Sequence, residues 1–219
     1  MNNKKNTQPC FIKFRAFLVF VFSFLAFILS AQNKLEKQLF AENIQTIAIN
    51  GNQIFNILVS TSKKDQIFIY SKLDGEYQDQ FQLVTKQQND SLNLSLKRLP
   101  FTTKPDDKRN AHKLVAATLH IEIPEGLNLN ILSDIGSVKL NGNFNMLSVE
   151  LLQGHAEITG FVNNATVNTL VGYIYVKTKN AEVKANSNNG KVEIDKFMAI
   201  DSYWKLQSIN GDITVINQH

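Results

Sequence analysis

The stretch INGDITV, Ile209–Val215, decides how this chain is read, because its outline occurs four times before it. The earlier copies are DIGSVKL at 134–140, LQGHAEI at 152–158, LVGYIYV at 170–176 and NNGKVEI at 188–194. Their glycines, Gly136, Gly154, Gly172 and Gly190, lie 18 residues apart, and Gly211 follows after 21. Counted from the glycine, four columns are apolar in all five copies. Leu129, Leu147, Ala165, Val183 and Trp204 stand at −7, and Ile131, Val149, Val167, Ala185 and Leu206 at −5. Val138, Ala156, Ile174, Val192 and Ile213 stand at +2, and Leu140, Ile158, Val176, Ile194 and Val215 at +4. The position between the last two is mostly polar: Lys139, Glu157, Tyr175, Glu193 and Thr214.

Such alternation is that of a pleated strand. The inward parity shifts by one at the glycine, so each copy reads as two short strands around a corner. Glycine suits the corner because it takes positive φ without steric cost. One unit cannot bury its own apolar face, whereas stacked units can. The expectation is an all-β fold: a parallel β-solenoid with glycine-centred coils of about 18 residues and five rungs over 124–219. INGDITV is then the last rung, and its open edge ends the stack. The three extra residues, within 196–201, are expected to pack between the last two coils through Phe197, Met198 and Ile200.

Upstream, 44–123 also has a period of two, with turn signals at Asn50-Gly51-Asn52 and Asp74-Gly75. These short strands are expected to cap the solenoid. Residues 32–43 read as a short N-terminal helix or linker, with Leu35, Leu39 and Phe40 on one helical face. The segment 98–113 is a charged loop with two prolines; Lys97, Arg98, Lys104, Lys108, Arg109 and Lys113 gather around it.

Residues 1–31 read as a signal peptide. Lys4, Lys5, Lys13 and Arg15 precede the apolar run 16–29, and Ser30-Ala31 offer a cleavage site. The expected location is therefore the periplasm, the outer-membrane surface or the medium. An uncleaved leader would be the chain's membrane contact and would make it an inner-membrane-anchored periplasmic sensor component. The chain holds 23 basic and 19 acidic residues, but four of the basic ones belong to the leader. The remainder is balanced and offers no global field for nucleic acid. Cys10, the only cysteine, also lies in the leader, so disulfides and thiolate metal sites are excluded beyond it.

The order of parts resembles a family of exported bacterial "putative adhesins", which includes the head GIN domain auto-transporter adhesins. The resemblance rests on the signal sequence, the strands around NGNQIFNILVSTSKKDQIFI, the strand ending at Ile123-Pro124-Glu125-Gly126, and the glycine-centred units ending SINGDITV. It covers about 44–219 and implies an adhesive or cell-surface role without catalytic residues.

No nucleophile elbow, P-loop or dinucleotide fingerprint is present. His112, His120, His155 and His219 show no ligand spacing, so no metal or cofactor is expected. The outward column Lys139, Glu157, Tyr175, Glu193 is the candidate face, with Tyr173 beside it and Phe161 nearby. Stacked in sequence order, Glu157 and Glu193 would stand about 9.6 Å apart, the outer limit for an inverting glycosidase pair. The leading expectation is a non-catalytic scaffold or adhesin-like module. It would meet a surface glycan or envelope protein through a solenoid face or the C-terminal edge. The alternative is a polysaccharide-active enzyme using Glu157 and Glu193.

Overall fold

A computed structural model describes residues 33–74, 80–100 and 116–218. Residues 1–31, which the sequence reads as a signal peptide, His112, His219 and the loop residues Lys104, Lys108, Arg109 and Lys113 lie outside them. The described residues form fifteen strands and no helix. In chain order these are β1 (Asn33–Phe40), β2 (Thr46–Asn50), β3 (Ile54–Ser62), β4 (Gln66–Asp74), β5 (Phe81–Gln88), β6 (Ser91–Arg98), β7 (Ala116–Pro124), β8 (Asn128–Ile135), β9 (Ser137–Gln153), β10 (Ala156–Val171), β11 (Ile174–Thr178), β12 (Ala181–Ser187), β13 (Val192–Ile194), β14 (Ser202–Asn210) and β15 (Ile213–Asn217).

All belong to one mostly parallel sheet with two limbs. The first limb runs β1-β4-β7-β3-β9-β10-β11-β15-β13, and the second runs β5-β6-β2-β8-β9-β10-β14-β12. The long strands β9 and β10 begin in the first limb and finish in the second. Inward side chains of both limbs meet in one buried cluster, which includes Val138, Ile158, Val167, Ile174, Leu206 and Val215. Pairing within the repeats is parallel. Antiparallel pairs occur only upstream, joining β1 to β4, β4 to β7, and β5 to β6.

The 18-residue period is the pairing register. Val138 pairs with Ala156 and Ala156 with Ile174, so equivalent residues lie directly opposite one another. The glycines make this possible. A Cβ on Gly154 would sit 2.0 Å from the Gly136 carbonyl oxygen, and one on Gly172 would sit 1.8 Å from that of Gly154. Both also have φ near +145°, where L side chains are strained. Hydroxyls serve the same corners: the buried Ser133 donates to the Gly51 carbonyl (3.0 Å) and the buried Thr169 to Gly172 (2.8 Å), and the half-buried Ser187 donates to Gly211 (2.7 Å). These bonds offset the cost of burying polar groups at the turn. On the opposite bend an amide ladder runs Asn163–Asn145–Asn128, with bonds of 2.9 and 2.8 Å.

Two sequence expectations are corrected. Residues 33–40 are strand β1, not a helix. Leu35 and Leu39 also share a face when the period is two, and the free edge of β4 supplies eight residues of antiparallel pairing. INGDITV is not the last rung either. Its strand β15 pairs with β11 on one side and β13 on the other, and β14 lies between β10 and β12. The fifth repeat is inserted between the third and the fourth. The corners agree: Gly211 packs on Gly172, and Gly190 packs on Gly211. The physical reason lies in what each repeat has to bury. The fifth carries Trp204, Leu206, Ile213 and Val215, all within 2% of full burial. The fourth has Val183, Ala185, Val192 and Ile194 in those columns and a polar corner, Asn186-Ser187-Asn188-Asn189, and it takes the exposed end. The 196–201 connection brings the chain back. Phe197 packs against the core, but Met198 and Ile200 are exposed rather than packed as expected.

Two predictions follow from this packing. Gly154→Ala and Gly172→Ala each lower unfolding free energy by about 2–4 kcal/mol in chemical denaturation. Gly126→Ala, with positive φ but open space around it, costs about 1 kcal/mol. A chain stopped after Asp201 loses hydrogen-exchange protection in β12 and β13 although it contains both, and in the second half of β10, which pairs with β14, while β9 keeps its own.

Candidate functional site

The outward face of the first limb is built by register alone. Following the paired residues, Glu36 lies opposite Tyr70, then come His120, Leu58 and Lys139. Glu157, Tyr175, Thr214 and Glu193 continue the row to the far edge. Nine side chains thus cross the limb at strand spacing, about 4.8 Å per step. Tyr70 and His120 meet edge to face at 5.8 Å between ring centroids. A shallow concavity of about 870 Å³ covers the upstream half, lined by Glu36, Tyr70, His120, Glu122, Lys139 and Asn141 among others.

Lys139, Glu157 and Tyr173 are brought together. Lys139 Nζ lies 3.2 Å from Glu157 Oε2, and the Tyr173 hydroxyl donates to Glu157 Oε1 at 2.6 Å. The Tyr173 bond, then Lys139, hold the Glu157 carboxyl below its ordinary value, while Glu157 pushes the Tyr173 phenol above its own. Tyr173 also stacks on His155, with centroids 4.0 Å apart and planes 14° from parallel. Its backbone N–H donates to His155 Nδ1 at 3.2 Å. Ser137 accepts the His155 N–H and Asp212 the Lys191 N–H in the same manner. Ser137, His155 and Asp212, each just past a corner, therefore close a bond to the neighbouring repeat.

The other sequence candidates fall apart. Because the fifth repeat intervenes, Glu157 and Glu193 are three strand steps apart, with Tyr175 and Thr214 between them. That is about 14 Å, beyond the roughly 6.5–9.5 Å of an inverting pair. Phe161 lies four residues along β10 from Glu157, about 13 Å away, and does not join Tyr173. Among the described residues, no three of His, Asp and Glu converge as metal ligands.

A second feature was not read from the sequence. On the outward face of the second limb, Leu152, Leu170 and Ile209 stand in successive strands, 50%, 40% and 42% exposed. With Leu132, Asn168, Asn186 and Gln207 they line a groove of about 430 Å³. The Asn168 Oδ1 that faces this region has no hydrogen-bond partner. The sequence signal is an apolar residue at position −2 of three repeats, on the outward side of the alternation.

No protein-family model matches the chain, and no curated protein matches it. Among solved structures, it is similar to a "putative cell adhesion protein" from Clostridium sporogenes. Identity is 12%, 85% of this chain and 100% of that one are covered, and the TM-score is 0.62. The two share a fold. Weaker likenesses are to a "putative adhesin" from Bacteroides fragilis (14% identity, 85% and 97% covered, TM-score 0.38) and a "putative lipid binding protein" from Parabacteroides distasonis (11%, 84% and 97%, 0.28).

Since its folded value is depressed, ionised Glu157 stabilises the fold above the ordinary carboxyl value of 4.5, and this contribution is lost as pH falls through the lower folded value. Stability measured by denaturant titration at successive pH values should drop in that acid range. Glu157→Gln should flatten the drop in part, because Glu122, held down by Ser62 and Lys64, titrates there too. The effect is small, since solvent screens both groups.

Proposed function

We propose that the protein is an exported, non-catalytic β-solenoid of glycine-centred coils that works as an adhesin-like or cell-envelope binding module. The observation that carries this reading is the nine-residue row on the first limb. It sets ionic, hydroxyl and aromatic groups at a fixed spacing along an open surface. An extended, repetitive ligand such as a surface polysaccharide meets such a row with repeated hydrogen bonds and with aromatic platforms at Tyr70 and Tyr175. The resemblance to exported adhesins and the fold shared with the Clostridium protein support the reading. So does the wide separation of Glu157 and Glu193, which argues against glycoside cleavage. Export itself rests on the leader and is part of the proposal.

Binding of the purified protein to an array of bacterial surface glycans tests it. A bound polysaccharide, retained about tenfold more weakly by the Tyr70→Ala/Tyr175→Ala variant with unchanged circular dichroism, is expected. Cleavage of any glycan that is abolished by Glu157→Gln would replace this reading with an enzymatic one. Protease treatment of intact host cells separates surface from periplasm, and intact mass shows whether Gln32 is the first residue.

A further inference from the structure

Among the described residues, the outermost strand of the second limb is β12, which pairs with β14 on one side only. The apolar columns of the repeats are uncovered at this end. Val192 and Ile194 are 39% and 42% exposed, whereas Ile213 and Val215 beside them are buried. Backbone direction follows from two bonds. Ser202 N–H donates to the Asn180 carbonyl at 3.2 Å, and Asn188 N–H donates to the Ser208 carbonyl at 3.1 Å. Ala181 lies level with Ser202 and Ser187 with Ser208, so the even-numbered residues of β12 aim their backbone groups at β14. By alternation Ala181, Val183, Ala185 and Ser187 aim theirs at the uncovered side.

We infer that this edge joins a second copy of the chain, antiparallel, about a two-fold axis at Val183. This inference does not depend on what the outward face binds. In that register Val183 exchanges both hydrogen bonds with Val183 of the partner subunit, and Ala181 lies opposite the partner's Ala185. Glu182 lies across from the partner's Lys184, and Lys184 across from the partner's Glu182. Charge selects this register from its neighbours. Centring on Glu182 or on Lys184 sets like charges face to face, which disfavours pairing. Centring on Ala181 or Ala185 leaves both charges opposite neutral residues. Within one chain Lys184 already lies 3.4 Å from Glu182, so the dimer closes a ring of four alternating charges. It also draws the exposed Val192 and Ile194 ends of the two stacks together, which is how an isologous contact covers an open edge.

Sedimentation equilibrium of the protein purified as its native host processes it tests the contact. The wild type is expected to be a dimer. Glu182→Lys and Lys184→Glu should each weaken dimerisation about tenfold, and the double swap Glu182→Lys/Lys184→Glu should restore it. Val183→Pro should weaken it without changing circular dichroism, because the Val183 N–H points away from β14 and an edge strand tolerates proline there. A wild type that is monomeric at every concentration would overturn the inference and leave the edge to a strand of another protein. A dimer indifferent to the single swaps, or a double swap that fails to recover, would overturn it equally.

Discussion

The structure depends on how closely the main chain of one repeat can lie on that of the next. At the corners the carbonyl of one glycine occupies the space where the next glycine's side chain would be. Only that approach lets two strands on either side of a bend keep an unshifted register. The register in turn stacks valine on alanine on isoleucine in an unbroken inner column. Burial of these columns supplies the main driving force, since a chain with a single cysteine, Cys10, has no internal disulfide to brace it. The hydroxyl bonds at the corners and the asparagine ladder opposite then satisfy polar groups that the bends would leave unpaired.

Much of this was legible because period and register are the same quantity. Once Leu140, Ile158 and Val176 fall in one column, pairing at a shift of 18 follows with little freedom, and so does the outward row of Lys139, Glu157 and Tyr175. The order of the last two repeats was not legible. The fourth and fifth share the same pattern, and a pattern says what a strand can pair with, not which neighbour it takes. The deciding quantity is the difference in apolar size between Trp204 and Val183 or between Leu206 and Ala185, which a column of "apolar" entries hides. The short strand at Asn33–Phe40 failed for a similar reason. A leucine pair four apart fits both periods, and the choice fell to a tertiary partner that lies 26 or more residues away.

The candidate site shows the same division. Neighbours joined at a shift of 18, such as Lys139 with Glu157, followed from spacing. The distance between Glu157 and Glu193 did not, because it crosses the inserted repeat. That insertion changes the chemistry available on the face: two carboxylates that stacking in sequence order would set on either side of one strand belong to separate parts of a long, shallow surface. Such a surface suits recognition of something extended better than closure around something small.

The crossed order of the last two repeats also limits how the array can change in length. Where neighbours in sequence are neighbours in space, a duplicated or deleted unit of 18 residues passes unnoticed by the rest, since every bond it breaks is remade by its equivalent one level along. Beyond Ala181 that freedom ends. The fourth and fifth repeats pair with each other at a shift of 21 and span the third and fifth at 39, so neither can be copied or lost without stranding the other. They form a clasp. Relatives of different length should differ upstream of it, between Asn128 and Thr178, and should carry the clasp unchanged at the end.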